Sequence, residues 1–173
     1  MGIRPSDTVF IAAPFSLYMG SWGALLGAER LGARSFPFGA GNPGQTRMAV
    51  RWLQATKPTV FYGTPSFALY LAETAREEGV DPQEGFGFRI MFFSGEPGAS
   101  VPATRHLLQE TYGAKIMDSG STAEMSPWMS NGQCSEGQGM HLWQDIVLTE
   151  VVDRDTEQVV PYGHEGVPVY THL

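Results

Sequence analysis

Lysine is almost missing from this chain. Lys57 and Lys115 are the only two, and 11 basic against 18 acidic residues leave a net charge of -7 and a pI near 5.0. A nucleic-acid groove or an anionic membrane surface needs a clustered excess of Lys and Arg, so the balance argues against both partners. Cysteine is scarcer still: Cys134 stands alone, which rules out an internal disulfide framework and suits a reducing compartment. No apolar run approaches the roughly 20 residues of a membrane-spanning helix. The N-terminus carries Arg4, Pro5 and Asp7 where a signal peptide would need a hydrophobic stretch. The expectation is a soluble, cytoplasmic protein with no nucleic acid and no membrane as partner. What is plentiful is core material, since 42 % hydrophobic and 12 % aromatic content over 173 residues supplies one domain.

Residues 1–127 alternate between two periodicities. Thr8 to Ala13, Arg34 to Phe38, Thr59 to Tyr62, Arg89 to Phe93 and Ala114 to Met117 are short strand-like runs. Between them, Met19 to Leu31, the segment around Met48 to Leu53, the stripe from Ser66 to Ala75 and the segment from Ser100 to Thr111 show helical spacing. Pro58 ends the second helix, Gly79 and Gly113 close the third and fourth, and Ser100 is a candidate N-cap. Trp22, Trp52 and Tyr70 share stripes with Leu25, Leu53 and Leu71 and read as core faces. Repeated alternation with near-continuous apolar strands gives an α/β class: a parallel sheet with flanking helices. Residues 128–173 differ. Met140 to Val152 alternates, Asp153 to Thr156 is a turn, and Val159-Val160 and Val167 to Tyr170 are strand-like, so an antiparallel β segment without helices should complete the same domain.

Three successive strands run into loops of one type: Gly63-Thr64-Pro65-Ser66, Ser94-Gly95-Glu96-Pro97 and Ser119-Gly120-Ser121-Thr122. Ligands of open parallel sheets bind beyond the carboxyl ends of the strands, where glycines let backbone N–H groups approach and hydroxyls add hydrogen bonds. Glu96 and Glu124 bring carboxylates to the same edge, useful beside phosphate through a divalent cation such as Mg2+. Phe15 and Tyr18 follow the first strand there and could wall an apolar pocket for an acyl or aryl group. The spacings of a phosphate loop, a dinucleotide fingerprint, a zincin and a hydrolase elbow are all absent. Cys134 and His141, with six residues between them in a Gly-rich stretch, form half of a zinc site, so zinc needs partners from elsewhere.

Gly63-Thr64-Pro65-Ser66 followed by Tyr70-Leu71-Ala72-Glu73, then Phe93-Ser94-Gly95-Glu96-Pro97, then Gly139-Met140-His141-Leu142-Trp143-Gln144-Asp145, together resemble the phenylacetate-CoA ligase branch of the adenylate-forming acyl-CoA synthetases. The resemblance spans nearly the whole chain. It implies the central part of such an enzyme's large N-terminal domain. It also implies a two-step reaction in which ATP and a carboxylic acid, aromatic or aliphatic, give an acyl-adenylate, and coenzyme A then takes the acyl group. By the same resemblance Ser94, Gly95, Glu96 and Pro97 would lie along the adenine, and Asp118, Ser119, Gly120 and Ser121 would form the next nucleotide loop. Thr122 and Glu124 would be catalytic, with Glu124 near Mg2+. Gly63 and Thr64 would join Phe15 and Tyr18 at the substrate pocket.

The resemblance departs at one place. The family pattern sets its glutamate three residues after the glycine, whereas Glu124 comes four after Gly120. A gapless match puts Ala123 at the metal-associated position, and a one-residue insertion puts Glu124 there. The family's phosphate-gripping loop, its Arg-x-Gly-Asp ribose segment and its lysine-bearing C-terminal domain lie outside this sequence, so the chain alone is expected to be inactive. Two other readings stand beside the ligase: a nucleotide- or adenylate-binding module without catalysis, and a scaffold that self-associates as a homo-oligomer through exposed apolar surface.

Overall fold

The computed structural model describes residues 1–120, 122–125, 131–134, 136 and 139–173. The first part runs β1 (Thr8–Ile11), α1 (Met19–Leu31), β2 (Arg34–Phe36), α2 (Gln45–Thr56), β3 (Val60–Gly63), α3 (Pro65–Glu77), a single turn α4 (Pro82–Gly85), β4 (Ile90–Phe93), a 3-10 turn (Pro97–Ser100), α5 (Pro102–Tyr112) and β5 (Lys115–Asp118). The five strands pair in parallel in the order β2-β1-β3-β4-β5. β3 and β4 are buried along their whole length, as continuous apolar strands covered on both sides must be.

Because side chains alternate along a strand, the sheet serves two cores. Phe10, Phe61, Met91, Phe93 and Ile116 meet Leu53 of α2, Ala68 and Leu71 of α3 and Leu108 of α5. Val9, Ile11, Val60, Tyr62, Phe92 and Met117 point the other way, toward Ala24 and Ala28 of α1. α1 turns its smallest residues inward, Gly20, Ser21, Ala24 and Ala28. That brings its backbone close to the sheet and leaves its bulky residues outside. The expectation of Trp22, Trp52 and Tyr70 as core residues is therefore corrected: they are 42 %, 48 % and 57 % exposed. In α3 the buried residues include Ala68, Leu71, Ala72 and Ala75, a stripe at i, i+3, i+4 and i+7 that leaves Tyr70 outside. Trp52 retains an edge-to-face contact with Phe36 at 5.7 Å.

α2 stops at Thr56, where Lys57 takes a left-handed conformation (φ 41°) that ends the helix while its N–H still donates to Leu53 O. Ser100 does not cap α5. Val101 occupies that position without a side-chain bond, and the Ser100 hydroxyl donates instead to the Asp118 carboxylate.

At the amino ends of the strands Asp7 is buried and bound on three sides. Its carboxylate accepts from Thr59 Oγ1 at 2.7 Å, the Arg4 N–H at 2.6 Å and the Arg89 guanidinium through Nε at 3.0 Å and Nη2. Burial pushes its pKa up. The hydrogen bonds from Arg89, Thr59 and Arg4 and the Arg89 charge outweigh that effect and bring it to about 2.

After the sheet come β6 (Asn131–Gly132) paired with β7 (His141–Leu142), and β8 (Val147–Val152) paired with β9 (Val167–His172), both antiparallel. The alternating run Met140 to Val152 is thus divided between two strands. Val159-Val160 is reduced to one bridge between Val159 and Val152. Asp153 closes the turn before it: its carboxylate accepts from the N–H groups of Asp155 and Thr156 and from the Thr156 hydroxyl, at 2.8 to 3.0 Å. The described residues from 131 onward contain no helix. Among the described residues no helix is long and apolar enough to cross a membrane.

Candidate functional site

Register aligns the carboxyl ends of four strands, with Ile11 opposite Tyr62, Gly63 opposite Phe93 and Phe93 opposite Asp118. The segments after β1, β3, β4 and β5 therefore share one edge. The strand order reverses between β1 and β3, the position at which ligands settle in open α/β sheets.

The loop after β4 is tied to the loop after β3. The Glu96 carboxylate accepts from the Ser66 hydroxyl at 2.7 Å and the Ser66 N–H at 3.1 Å, while Thr64 Oγ1 caps α3 by accepting from Phe67 N–H at 3.3 Å. Glu96 is thus held at a helix N-terminus, where its charge is favoured. Ser94 is buried, Gly95 is exposed, and Pro97 opens the 3-10 turn.

The loop after β5 is braced from below. The Asp118 carboxylate accepts from Ser100 and, at 2.9 Å, from the Ser119 N–H, and Ser119 Oγ donates to Phe93 O at 2.8 Å. Both residues are buried, so their side chains stabilise the loop from within the fold. Asn131 Oδ1 accepts from Gly120 N–H at 2.8 Å, and it lies so close that a Cβ at Gly120 would stand 2.2 Å from it. Gln133 accepts from Asp118 N–H at 2.9 Å and from the Arg105 guanidinium, which also donates to Ala99 O and Ile116 O. Sequence reasoning missed Asn131, Gln133 and Arg105. The alternation Asn131-Gly132-Gln133, two amides on one strand face, was the available signal.

Ser121 lies outside the described residues. Beyond it the Thr122 hydroxyl donates to the Glu124 carboxylate, which is fully exposed and held below the usual carboxylate range chiefly by that bond. Thr122 and Ala123, not Glu124, line a cavity of about 230 Å³ whose other walls are Leu17, Tyr18, Met19, Gly20 and Gly95. Phe15 belongs elsewhere. It packs edge-to-face on Trp22 at 5.2 Å and lines a second concavity of about 600 Å³, with Pro14, Leu25, Phe38 and Gln45, beside β2. The four residues expected at one substrate pocket are thereby separated. Tyr18 lines the small cavity, Phe15 the larger one, and Gly63 and Thr64 are among the lining residues of neither.

No group of three or more His, Cys, Asp or Glu side chains converges among the described residues. Cys134 and His141 thus have no further ligands there to complete a zinc site. The Cys134 sulfur accepts from Glu136 N–H at 3.4 Å, and His141 is exposed on β7. A single exposed carboxylate does fit Mg2+ delivered with phosphate oxygens, since that ion keeps most of its shell from water and phosphate.

Residues 1–169 match the family described as AMP-binding enzyme. The chain is 36 % identical, over 99 % of its length, to a phenylacetate-coenzyme A ligase of Thermus thermophilus, of which it spans 38 %. A solved 2-hydroxyisobutyryl-CoA ligase, in an open conformation with 2-HIB-AMP and CoA, is 58 % identical with a TM-score of 0.95, covering 99 % of this chain and 37 % of that one. A benzoate CoA ligase from Burkholderia xenovorans shares the fold, with a TM-score of 0.68 at 20 % identity, covering 99 % of this chain and 34 % of that one. By the extent of these matches the chain belongs to the AMP-binding enzyme family, among proteins like the phenylacetate-CoA ligases.

Proposed function

We propose that the chain is the adenylate-binding core of an ATP-dependent, AMP-forming acyl-CoA ligase acting in the cytoplasm on a small carboxylic acid. The observation that carries this reading is the 58 % identity, at a TM-score of 0.95, to a CoA ligase solved with its acyl-adenylate and CoA. The cavity between Tyr18, Gly95 and Thr122 supports it, because its walls are the segments that follow β1, β4 and β5, beyond the carboxyl ends of the strands. In this reading the Gly95 and Gly120 loops present backbone to the nucleotide, and the cavity takes the acyl group. Glu124, with the Thr122 hydroxyl beside it, would hold Mg2+, which when bound offsets phosphate charge during adenylate formation.

Since the chain spans 38 % of the phenylacetate-CoA ligases it matches, turnover is assigned to the larger assembly and binding to this part. Saturable binding of AMP by the chain, without pyrophosphate release from ATP and a carboxylic acid, is the expected result; absence of AMP binding would overturn the reading. The exposed position of Glu124 favours a second reading, a binding module without catalysis in any context. Pyrophosphate release by a longer protein containing this segment, lost in Glu124→Gln, separates the two. Apolar side chains left exposed, among them Trp22, Leu26 and Trp52, favour the self-associating reading, for which sedimentation over a concentration series is the test.

A further inference from the structure

Arg105, near the start of α5, aims its guanidinium at neutral oxygens on three separate segments. Nε donates to Ala99 O at 3.0 Å in the 3-10 turn after β4, Nη1 to Ile116 O at 2.8 Å in β5, and Nη2 to Gln133 Oε1 just after β6. Among the described residues no carboxylate lies within ion-pair distance of it. A guanidinium is a rigid, planar fork, so bonds in three directions fix the separation of the segments that carry the acceptors.

Gln133 passes that constraint on. Its backbone N–H donates to Asp118 O at 2.9 Å and its Oε1 accepts from Asp118 N–H at 2.9 Å, so one residue satisfies both backbone groups of Asp118. Two residues along each segment, in opposite directions, Asn131 Oδ1 accepts from Gly120 N–H at 2.8 Å. Residues two apart on an extended chain face the same side, so the two amides continue an antiparallel register, with side-chain oxygens standing where ladder carbonyls would. Ser119 N–H turns the other way, to Phe93 O at 2.9 Å. The extended path of β5 is thereby prolonged to Gly120. Asp118, Asn131 and Gln133 are all buried, where a lost partner is not replaced by water.

The consequence reaches the small cavity. Gly95, from the loop after β4, and Thr122 and Ala123, from the loop after β5, are among its walls. Arg105 is not, yet it binds the turn that follows Gly95 and, through Gln133, the strand end that leads to Thr122. One side chain sets the gap between two walls from behind.

We propose that Arg105, acting through Gln133, is a positioning residue for adenylate binding, holding the loops after β4 and β5 at the spacing that the nucleotide requires. The proposal rests on the adenylate-binding reading above. Its physical basis is preorganisation: loops already fixed in the bound arrangement lose less freedom when the ligand arrives.

The test pairs titration of the chain with AMP and amide hydrogen exchange. Arg105→Met and Gln133→Met are each expected to weaken AMP binding about tenfold, the worth of one buried hydrogen bond. The double variant should bind no more weakly than either single one, because both break the same link. Arg105→Lys should restore little, since an ammonium cannot span three acceptors in a plane. A brace that only supports folding would lower the melting temperature and leave AMP affinity intact, which overturns the positioning role. Additive losses overturn the route through Gln133, and wild-type affinity in Arg105→Lys overturns the role of the fork. If Arg105→Met does not fold, Gln133→Met must still weaken binding. Exchange separates the inference from the reading beneath it: the Asp118 and Gly120 amides should exchange faster in Gln133→Met, with those of Phe10 and Phe61 unchanged. If the wild-type chain, shown folded by circular dichroism, does not bind AMP, the adenylate-binding reading fails, while that selective exchange upholds Arg105 and Gln133 as the pair that holds the loop. Exchange unchanged at Asp118 and Gly120 overturns the inference whatever AMP does.

Discussion

The Glu96 carboxylate accepts both the Ser66 hydroxyl, at 2.7 Å, and the Ser66 backbone N–H, at 3.1 Å. One side chain of the loop after β4 is thus fastened to the first turn of α3. Glu96→Ala leaves a helix-terminal N–H to water and removes a favourable charge from the helix dipole, which together contribute about 1 kcal/mol at a partly exposed site. Urea unfolding is expected to show a loss of that size, with weaker AMP binding because Gly95 is no longer held. Unchanged affinity would separate the bond from the site.

Asp7 and Arg89 set an acid limit on stability. The folded carboxyl, at about 2, lies below its unfolded value near 3.9, so the unfolded chain binds more protons in the acid range. The contribution is fully present above about pH 5 and is lost as pH falls from 4 through 2, with a size of about 2 kcal/mol. Asp7→Asn is expected to be less stable than the wild type by roughly this amount at pH 6, the difference shrinking toward pH 2. A gap independent of pH would contradict the linkage.

Gly20→Ala forces a methyl group into the 2.4 Å space before Tyr62 Oη. Tyr62 is fully buried on β3 and its ring cannot retreat without disturbing the sheet, so a cost of about 1–3 kcal/mol is expected, as for other overpacked sites. Thermal melting measures it. Loss of affinity for acyl-adenylate mimics should accompany it, since the wall of the cavity moves.

Asn131→Ala removes the acceptor of the Gly120 N–H and leaves the glycine loop unbraced. The expected loss is about 1–2 kcal/mol in stability, with faster hydrogen exchange at Gly120 than at the strand amides of Phe92 or Ile116. Exchange equal to the wild type would show that water replaces the amide.

The five-stranded parallel sheet and its main helices were legible because each element carries its own period, and β3 and β4 announce double-sided burial by apolar runs of four residues. The sharing of one edge by three glycine-hydroxyl loops followed from parallel direction alone. Which side chains use that edge was not legible. Asp118 and Ser119 stand in the expected nucleotide loop by sequence, yet their polar atoms are engaged with Ser100, Phe93 and each other, because a 3-10 turn 18 residues away and a strand 26 residues away supply the partners. Trp22 and Tyr70 read as core by spacing, and they are displaced outward because smaller neighbours let the helices approach the sheet.

Sequence by itself determined the fold class, the adenylate-forming kinship and the sharing of one sheet edge by three glycine-hydroxyl loops, since all three rest on local periodicity and short motifs. Tertiary structure decided that Ala123 lines the cavity while Glu124 faces solvent, and that Phe15 and Tyr18 serve different concavities. Those outcomes depend on which way a side chain points within one residue of a turn and on what distant segments bring against it, and neither is encoded in spacing along the chain.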